Sequence, residues 1–172
     1  AYTNHHAMAD WYDEYRGDNG TALTDTITTD LFLLDFNHSM VNNYSGVRHD
    51  SGDPYEWGEK IIAHYKKYGV DPRTKQLLFS DSLDFDHAQK LYEHFKNQVR
   101  VSFGIGTFVT NDTCEEALNI VIKLQYVNGR PVAKISDAPG KEMCQDEEYL
   151  SYLKRSVDFR LNREKLSQEN PL

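Results

Sequence analysis

Short apolar runs alternate with helical stretches along the first 112 residues, and the runs recur roughly every 25 residues. They span residues 22–25, 47–49, 76–81 and 99–103. Each connection is long enough for a helix, which parallel strands require because a tight hairpin turn joins only antiparallel strands. The spacing therefore predicts an α/β fold made of four β/α units.

The connections between these runs carry apolar residues at helical spacing. We predict helices over residues 28–37, 55–68 and 84–95. Pro54 stands where the first turn of a helix tolerates proline, and Gly69 follows the end of the same helix. The amino-terminal residues also have an amphipathic pattern, so we expect a further helix there.

The pattern changes in the last third of the chain. Two β-rich runs, residues 119–126 and 131–136, flank Asn128-Gly129, a pair that strongly indicates a tight β-hairpin. A last helix is predicted from Asp146 to about Arg160, and the polar tail after it is expected to be solvated.

This change divides the chain into a β/α part, residues 1–112, and a part with a hairpin and a final helix, residues 113–172. Four β/α units admit two architectures, a small doubly wound sheet or half of an eight-stranded barrel. Both bind ligands at the carboxyl ends of their strands. Because the chain starts within a helical pattern and without Met, we expect it to be a fragment of a longer protein.

The charge balance argues against nucleic acid as a partner. The chain has 19 Lys and Arg against 27 Asp and Glu, and no basic run exceeds Lys66-Lys67, which disfavours nucleic-acid binding. Cys114 and Cys144 show no pairing pattern and are predicted to be reduced thiols of a cytoplasmic protein. With neither a membrane-spanning run nor a signal sequence, we expect a soluble protein without a membrane partner.

Charged residues stand where the predicted strands end. Asp25 follows the first, Arg48-His49-Asp50 ends the second, Asp81 ends the third and Gly104 follows the fourth. Since parallel strands end at one edge of a sheet, these residues are expected to converge. Aspartate after a strand is also a favoured helix N-cap, and that alternative stays open for each Asp alone.

Arg48 at the end of a buried strand needs a partner, and Asp50 and Asp53 are the available carboxylates. One reading is a structural ion pair. The functional reading is a planar cation that stacks on a flat ring and meets a carboxylate. His49 is predicted to point to the opposite face and to be structural, because neighbours in a strand alternate faces.

The segment Ser-Phe-Gly-Ile-Gly-Thr, residues 102–107, leaves the fourth strand with two glycines. Such a turn points successive N–H groups at an anion, so a phosphate fits it, although a simple tight turn is the commoner explanation. Backbone donors hold a phosphate without a basic cluster. Lys134 lies in the predicted hairpin, and Lys141 is predicted to be a solvated turn lysine.

Taken together, six segments resemble nicotinate phosphoribosyltransferases of the bacterial type. They are ALTDTIT, GVRHDSGDPYEWGEKIIAHY, LLFSDSLDFDHAQKLYEHF, VSFGIGTFVTND, LNIVIKL and PVAKISDAPGKEMC, in that order. RHDSGDP and SFGIGT are the most specific. The resemblance covers nearly the whole chain and implies the carboxyl-terminal part of a longer enzyme. The implied fold is the second half of an irregular, TIM-like α/β barrel of the type II phosphoribosyltransferase kind, followed by an antiparallel β-hairpin and a carboxyl-terminal helix.

The resemblance also implies a reaction in NAD biosynthesis and salvage. Nicotinate and phosphoribosyl pyrophosphate would give nicotinate mononucleotide and pyrophosphate, with coupled hydrolysis of ATP as a co-substrate. Mg²⁺ would be the cofactor, and the full-length enzyme would be a homodimer.

Roles for residues of the second strand end follow from the same resemblance. Arg48 would face the pyridine ring of the substrate, and Asp50 would act as the catalytic residue that holds the ribose hydroxyls. Ser51 and Gly52 would shape the turn beside them. Asp25 would line the base pocket.

The resemblance assigns the remaining strand ends to the phosphosugar. Asp81 would face the ribose or its magnesium ion, so Asp50 and Asp81 are the candidate metal ligands. Gly104, Gly106 and Thr107 would cradle the 5′-phosphate.

One family motif has no counterpart here. The phosphorylated histidine of the family lies in a Gly-Thr-x-x-His-Glu motif, which no segment matches, so we assign no catalytic histidine and expect the chain alone to be inactive. Two other functions stay open: another phosphosugar-binding α/β barrel enzyme with the same glycine turn, and a non-catalytic binding module of the doubly wound type.

Overall fold

The predicted alternation of strands and helices is present in the computed structural model, which describes residues 3–111, 113, 115–116, 118 and 120–169, with side chains as far as residue 167. The helices are α1 (Thr3–Tyr15), α2 (Thr29–Asp35), α3 (His38–Asn43), α4 (Pro54–Lys67), α5 (Phe85–Phe95), α6 (Thr107–Thr110) and α7 (Glu147–Glu169). The strands are β1 (Thr21–Leu23), β2 (Gly46–His49), β3 (Gln76–Phe79), β4 (Arg100–Phe103), β5 (Tyr126–Val127) and β6 (Arg130–Pro131).

The first four strands form one parallel sheet in the order β1-β2-β3-β4. The prediction of an α/β fold with a parallel sheet is therefore confirmed. A doubly wound sheet reverses its strand order at one point, and its ligand binds there. The order of these four strands follows the chain without reversal, which argues against the doubly wound alternative.

One face of this sheet is buried under α4 and α5. Val47, Leu77 and Phe79 are completely buried there. The ring of Phe79 lies between those of Trp57 on α4 and Phe95 on α5, with centroid distances of 5.3 and 5.5 Å. Burying each such side chain contributes about 2 to 3 kcal/mol to the free energy of folding. This layer fixes the strands that carry the site.

The other face of the sheet is only partly covered. A row of residues in register crosses it: Leu23 on β1, Arg48 on β2, Leu78 on β3 and Ser102 on β4. All four are half-buried, whereas their neighbours along β2 and β3 are buried. Because side chains alternate between faces, Arg48 belongs to this more open face.

The amino ends of the strands are joined by a buried lysine. Lys75, just before β3, donates from Nζ to the carbonyl oxygens of Tyr44 at 2.7 Å and Asn42 at 3.1 Å. Burial, and then the charge of Arg100, lower the pKa of Lys75. The ammonium group thus ties the approach to β2 to the start of β3 through main-chain atoms.

Two aspartates cap helices as the sequence pattern allows. Asp53 accepts from the N–H groups of Tyr55 at 2.8 Å and Glu56 at 2.9 Å, and Pro54 occupies the first turn of α4. Asp84 caps α5 in the same way, through the N–H of His87. An N-cap of this kind stabilises a helix by about 1 kcal/mol.

The predicted hairpin is present, but its strands are short. Asn128 and Gly129 have φ angles of 50° and 73°, as the tight turn requires, and they join β5 to β6. The predicted runs 119–126 and 131–136 are wrong as full strands, since residues 120–125 and 132–136 lie outside β5 and β6. Asn119 lies outside the described residues.

The last helix is longer than predicted, because α7 continues through residues 161–169 instead of ending near Arg160. Its Val157 packs against Ile27 and Leu31 in a small second cluster, and Arg160 pairs with Asp35 at the end of α2. The side chains of residues 162–167 are exposed, as predicted for a solvated tail.

Two further predictions concern the state of the cysteines and the lack of a membrane-spanning segment. Cys144 is a free thiol, and Cys114 lies outside the described residues. None of the described helices combines the length and the apolar character needed to cross a membrane.

Candidate functional site

The carboxyl ends of the four parallel strands lie side by side, and a later piece of chain crosses three of them. We call this piece, residues 134–141, the covering segment. It contacts Asp25 after β1, Ser51 after β2 and Asp81 after β3. The structure thus brings the predicted strand-end residues to one edge of the sheet.

Asp25 lies at the buried centre of this edge and is only 1% exposed. Its Oδ2 accepts from Ser51 Oγ at 2.7 Å, from Lys134 Nζ at 2.8 Å and from Ser136 Oγ at 2.9 Å. Its Oδ1 has no hydrogen-bond partner among the described residues. A buried carboxylate is stable only when paired in this way.

The pKa of Asp25 reflects these contacts. Burial is the largest influence and raises the pKa, but hydrogen bonds from Lys134 and Ser51, the charge of Lys134 and the hydroxyl of Ser136 together outweigh it. The pKa of Asp25 therefore lies below its ordinary value of 3.8. Asp25 is ionised at neutral pH and holds Lys134 in place.

Replacing Asp25 with Asn is expected to cost about 2 kcal/mol of stability at neutral pH, because the partly buried Lys134 loses its nearest carboxylate. The folded-state pKa is depressed, so the stabilisation is fully present above pH 3.8 and is lost as the pH falls through the folded pKa. Urea unfolding midpoints of both proteins, compared between neutral and acid pH, check this. A difference that stays constant into acid would contradict it.

Arg48 forms the predicted ion pair with Asp50. Its Nη2 donates to Asp50 Oδ1 at 3.1 Å, and its Nε donates to Ser80 Oγ at 2.8 Å. Ser80 Oγ in turn donates to the carbonyl oxygen of His49 at 2.9 Å. The Arg48 side chain is still 43% exposed, so one part of the guanidinium is fixed and the rest is accessible to a ligand.

Lys141 is not the solvated turn lysine that the sequence predicted. Its Nζ lies 2.7 Å from Asp81 Oδ1 and 3.2 Å from the carbonyl oxygen of Asp50. Lys134 lies 3.7 Å from Asp50 Oδ2 in addition to its contact with Asp25. Two lysines of the covering segment, together with Arg48, therefore balance the charge of the three strand-end carboxylates.

The turn after β2 places the hydroxyl of Ser51 beside Asp25 and the covering segment. Ser51 is buried, and its Oγ contacts both Asp25 and Ser136 Oγ, the latter at 2.9 Å. Gly52 has a φ of +84°, a backbone conformation that a residue with a Cβ adopts only with strain. The Ser-Gly pair is thus the local cause of the sharp turn that follows Asp50.

The helix-cap alternative fails for the three strand-end aspartates. In the described residues, the hydrogen bonds recorded for the carboxylates of Asp25, Asp50 and Asp81 come from side chains. The helix caps are Asp53 and Asp84 instead. This division separates aspartates that hold a helix from those that face the common edge.

His49 is buried on the helix side of the sheet, as predicted for a structural residue. Its ring packs against Trp57 and Phe79, with centroid distances of 5.1 and 5.9 Å. Burial lowers its pKa below the ordinary value, against the raising influence of nearby Asp81. A neutral imidazole in this position supports the end of β2 from below.

The glycine turn lines a separate cleft of about 530 Å³ beside the charged cluster. Gly104, Gly106 and Thr107 lie on its wall, and Ser80 links it to Arg48 and Asp50. A Cβ on Gly104 would come within 3.1 Å of Ser80 Cβ, which explains the glycine there. Gly106 has no side chain that could cap α6. The first N–H groups of this helix therefore receive no hydrogen bond from an N-cap side chain.

Four site residues were not assigned from the sequence. Lys134, Ser136 and Asp137 belong to the covering segment, and Ser80 directly follows β3. The first three lie more than 80 positions from their partners, with separations of 85 to 111 residues. The segment PVAKISDAPGKEMC was a signal only through the family resemblance, since no local pattern connects it to the strand ends.

A parallel β/α sheet with carboxylates, an arginine and a glycine turn at one edge places the chain among the α/β proteins, a class whose members bind ligands at the carboxyl ends of their strands. The model of the nicotinate phosphoribosyltransferase (NAPRTase) family matches residues 1–161. The chain belongs to this family.

Relatives named nicotinate phosphoribosyltransferase agree with that assignment. The protein of Proteus mirabilis is 54% identical over 159 residues, which are 92% of this chain and 39% of the relative. That of Chromobacterium violaceum is 56% identical over 149 residues, 87% of this chain and 37% of the relative. The chain thus spans about two fifths of the length of these relatives.

Solved structures give the same result. The crystal structure of nicotinate phosphoribosyltransferase from Vibrio cholerae superposes with a TM-score of 0.87 and 48% identity, over 93% of this chain and 41% of that one. The enzyme from Porphyromonas gingivalis gives a TM-score of 0.82 and 39% identity, over 90% of this chain and 42% of that one.

Proposed function

We propose that this chain forms the carboxyl-terminal part of a nicotinate phosphoribosyltransferase of NAD biosynthesis and salvage. The full-length protein would convert nicotinate and phosphoribosyl pyrophosphate to nicotinate mononucleotide and pyrophosphate, coupled to ATP hydrolysis. The observation that carries the proposal is the convergence of Arg48, Asp50 and Asp81 at the carboxyl edge of the sheet. The family assignment supplies the identity of the substrates.

The same proposal includes the second half of a TIM-like barrel. Its support is the unreversed strand order and the partly covered row formed by Leu23, Arg48, Leu78 and Ser102. In a barrel this row faces the interior, where strands from the other half complete it. β1 and β4 are the two edges to which further strands would pair.

Arg48 is proposed to bind nicotinate. Its guanidinium is oriented by Asp50 and Ser80 yet remains 43% exposed on the open face. Such a group meets a carboxylate with two parallel donors and stacks on a flat ring, which suits an aromatic acid.

Asp50 is proposed to stabilise the ribose in the transition state. When pyrophosphate departs, positive charge develops on the ribose carbon and ring oxygen, and a preorganised carboxylate stabilises that charge more than it stabilises the substrate. Arg48 already holds the carboxylate in position, at 3.1 Å. Holding the ring nitrogen of nicotinate near the same carbon lowers the barrier further by proximity.

Asp25 is proposed to act through Lys134 and the Ser51-Gly52 turn. It was expected to line the base pocket, but its 1% exposure and its bonds to Lys134 and Ser51 favour a supporting role. The 5′-phosphate is proposed to occupy the cleft lined by Gly104, Gly106 and Thr107, where backbone donors and an open glycine turn accept an anion.

Mg²⁺ suits the oxygen donors at this edge. Lys141 Nζ contacts the carboxylate of Asp81 and the main-chain carbonyl oxygen of Asp50, so a cation already lies beside oxygen atoms of both residues. Magnesium sites often combine one or two carboxylates with substrate phosphates, and the bound ion would neutralise charge on the leaving pyrophosphate. Asp50 and Asp81 are therefore the proposed ligands; Lys141 pairs with the Asp81 carboxylate, and Arg48 pairs with that of Asp50.

The direct test is turnover by the full-length protein. Nicotinate, phosphoribosyl pyrophosphate and MgATP are supplied, and nicotinate mononucleotide and pyrophosphate are quantified, with nicotinamide replacing nicotinate as a control. Product that depends on nicotinate supports the proposal. Absence of product, or turnover of phosphosugars without a pyridine acid, contradicts it and favours another phosphosugar enzyme.

Replacing Arg48 with Lys in the full-length protein is expected to raise KM for nicotinate about tenfold to hundredfold, with little change in KM for phosphoribosyl pyrophosphate. Lysine keeps the charge but loses the planar pair of donors. Arg73→Lys is the matched control, because Arg73 pairs with Asp71 in a similar Arg-Asp contact away from the site. Equal effects of the two substitutions would contradict the assigned role.

The proposal further places the full-length protein in the cytoplasm as a homodimer. Its support is the family resemblance alone. Sedimentation of the full-length protein tests it, since a dimer gives twice the monomer mass and a monomer contradicts it.

A further inference from the structure

The covering segment is anchored to the fold by a residue that does not itself touch the strand-end carboxylates. Asp137 accepts from the backbone N–H of Thr29 at 2.9 Å through Oδ1 and 3.2 Å through Oδ2. The Thr29 hydroxyl donates to the same Oδ2 at 2.6 Å. The carboxylate of Asp137 therefore binds the first residue of α2, Thr29, which is buried.

Behind Thr29, buried polar groups continue this contact into the core. The Oγ1 atoms of Thr29 and Thr24 lie 3.1 Å apart, and Trp57 Nε1 donates to Thr24 Oγ1 at 2.9 Å. A carboxylate only accepts, so the Thr29 proton points to Asp137, while the Thr24 hydroxyl has the carbonyl oxygen of Arg48 as its acceptor at 3.3 Å. Asp137 is thus next to a row of buried polar groups, Thr29, Thr24 and Trp57, that lie within hydrogen-bond distance of one another.

The backbone next to Asp137 needs such an anchor. Ser136 has a φ of +73°, which is uncommon for a residue with a Cβ and costs about 1 to 3 kcal/mol. Two contacts hold it there: Ser136 Oγ bonds to Asp25, and the Asp137 N–H donates to Ser51 Oγ at 3.2 Å. This bend turns the side chains of Ser136 and Asp137 to different targets.

The bend lies between the two lysines of the site. Lys134 reaches Asp25 and Asp50 from one side of it, and Lys141 reaches Asp81 from the other. Displacement of the bend would move both ammonium groups away from their carboxylates together.

We propose that Asp137 is a positioning residue, which sets Lys134 and Lys141 on the strand-end carboxylates by anchoring the covering segment to Thr29. Its consequence for turnover rests on the proposed function. Its effect on the covering segment does not, and the two are measured separately.

The first measurement follows the segment itself in the full-length protein. In Asp137→Asn, amide exchange of peptides covering residues 134–141 is expected to accelerate about tenfold, and acetic anhydride should acetylate Lys134 about tenfold faster. Asp71→Asn is the matched control, because Asp71 also caps a helical turn with its carboxylate but lies away from the segment. Unchanged exchange and labelling, or equal changes in both variants, would overturn the anchor.

A double-mutant cycle tests whether Asp137 acts through Thr29. Thr29→Val removes the donating hydroxyl and keeps the backbone N–H. Added to Asp137→Asn, it should have little further effect on exchange, because both changes break the same contact. Additive effects would overturn the proposed route, even if each variant alone loosened the segment.

The second measurement is kinetic. In the full-length protein, Asp137→Asn is expected to raise KM for phosphoribosyl pyrophosphate about tenfold and Asp71→Asn to leave it unchanged. A loosened segment with unchanged kinetics would overturn the positioning role. If the unsubstituted protein forms no nicotinate mononucleotide, the proposed function fails, whereas exchange and labelling still decide whether Asp137 anchors the segment.

Discussion

Replacing Asp50 with Asn is expected to lower the rate of nicotinate mononucleotide formation by the full-length protein by about 100- to 1000-fold. Asn keeps the shape of the side chain and its contact with Arg48. It removes the negative charge that is proposed to stabilise the positive charge developing on ribose. The measurement is kcat/KM for phosphoribosyl pyrophosphate at saturating nicotinate.

Asp53→Asn is the control for this result. Asp53 lies three residues further along the same RHDSGDP motif, but its carboxylate caps α4 through the N–H groups of Tyr55 and Glu56. Its loss is expected to cost about 1 kcal/mol of stability and little activity. Similar activity losses in the two variants would show that Asp50 acts through the fold of the motif.

Replacing Gly46 with Ala is expected to cause the largest loss of stability from a single methyl group, about 3 kcal/mol. Gly46 pairs with Gln76 across β2 and β3, and a Cβ on it would stand 2.3 Å from the Gln76 carbonyl oxygen. The sheet must separate locally, because a backbone atom has no other rotamer. The urea midpoint should fall with the slope of the transition unchanged.

A contrasting glycine shows when such a clash is relieved. A Cβ on Gly58 in α4 would come within 2.4 Å of the Phe95 ring, so Gly58→Ala is expected to destabilise the protein despite a gain in helix propensity of about 1 kcal/mol. In a Phe95→Leu background the ring is gone, and Gly58→Ala should then stabilise. No second substitution of a side chain should rescue Gly46→Ala; recovery by a smaller residue at Gln76 would contradict the backbone explanation.

Local pattern was sufficient for the parallel sheet and for α1, α2, α4 and α5, whereas α3 and the short α6 were not predicted. β3 and β4 lie within the apolar runs that predicted them, and β2 and α4 each begin one residue before the predicted start, at Gly46 and Pro54. These elements are determined by neighbours in sequence, because apolar spacing and capping act over a few residues.

The strands of the hairpin are shorter in the structure than the sequence pattern predicted. The side chains of Ile120, Ile122 and Leu124 alternate as in a strand, yet they are 81%, 93% and 72% exposed. A strand exists only with a partner, and the described residues supply a partner for just Tyr126 and Val127. Alternation alone therefore predicts a preference for extended structure but not the pairing.

Contacts within the site were the least predictable. Lys134 and Asp25 are 109 residues apart, and Lys141 and Asp81 are 60 apart. Periodicity and motif spacing carry no information over such separations, so the sequence predicted which strand ends would meet but not which lysines would neutralise them. The role of Asp137 depends on the same long-range geometry.

The buried ammonium group of Lys75 gives the two ends of the sheet different tolerances to change. At the amino ends, Lys75 binds main-chain carbonyl oxygens of residues 42 and 44, which no substitution at those positions removes. At the carboxyl ends, lysines bind side-chain carboxylates. A substitution of the aspartate removes such a contact, and a bound ion competes for it. The amino ends of the strands are therefore suited to rigidity and the carboxyl ends to chemistry. Substitutions meant to raise thermal stability belong at the amino ends, and the residues at the carboxyl ends should be left unchanged.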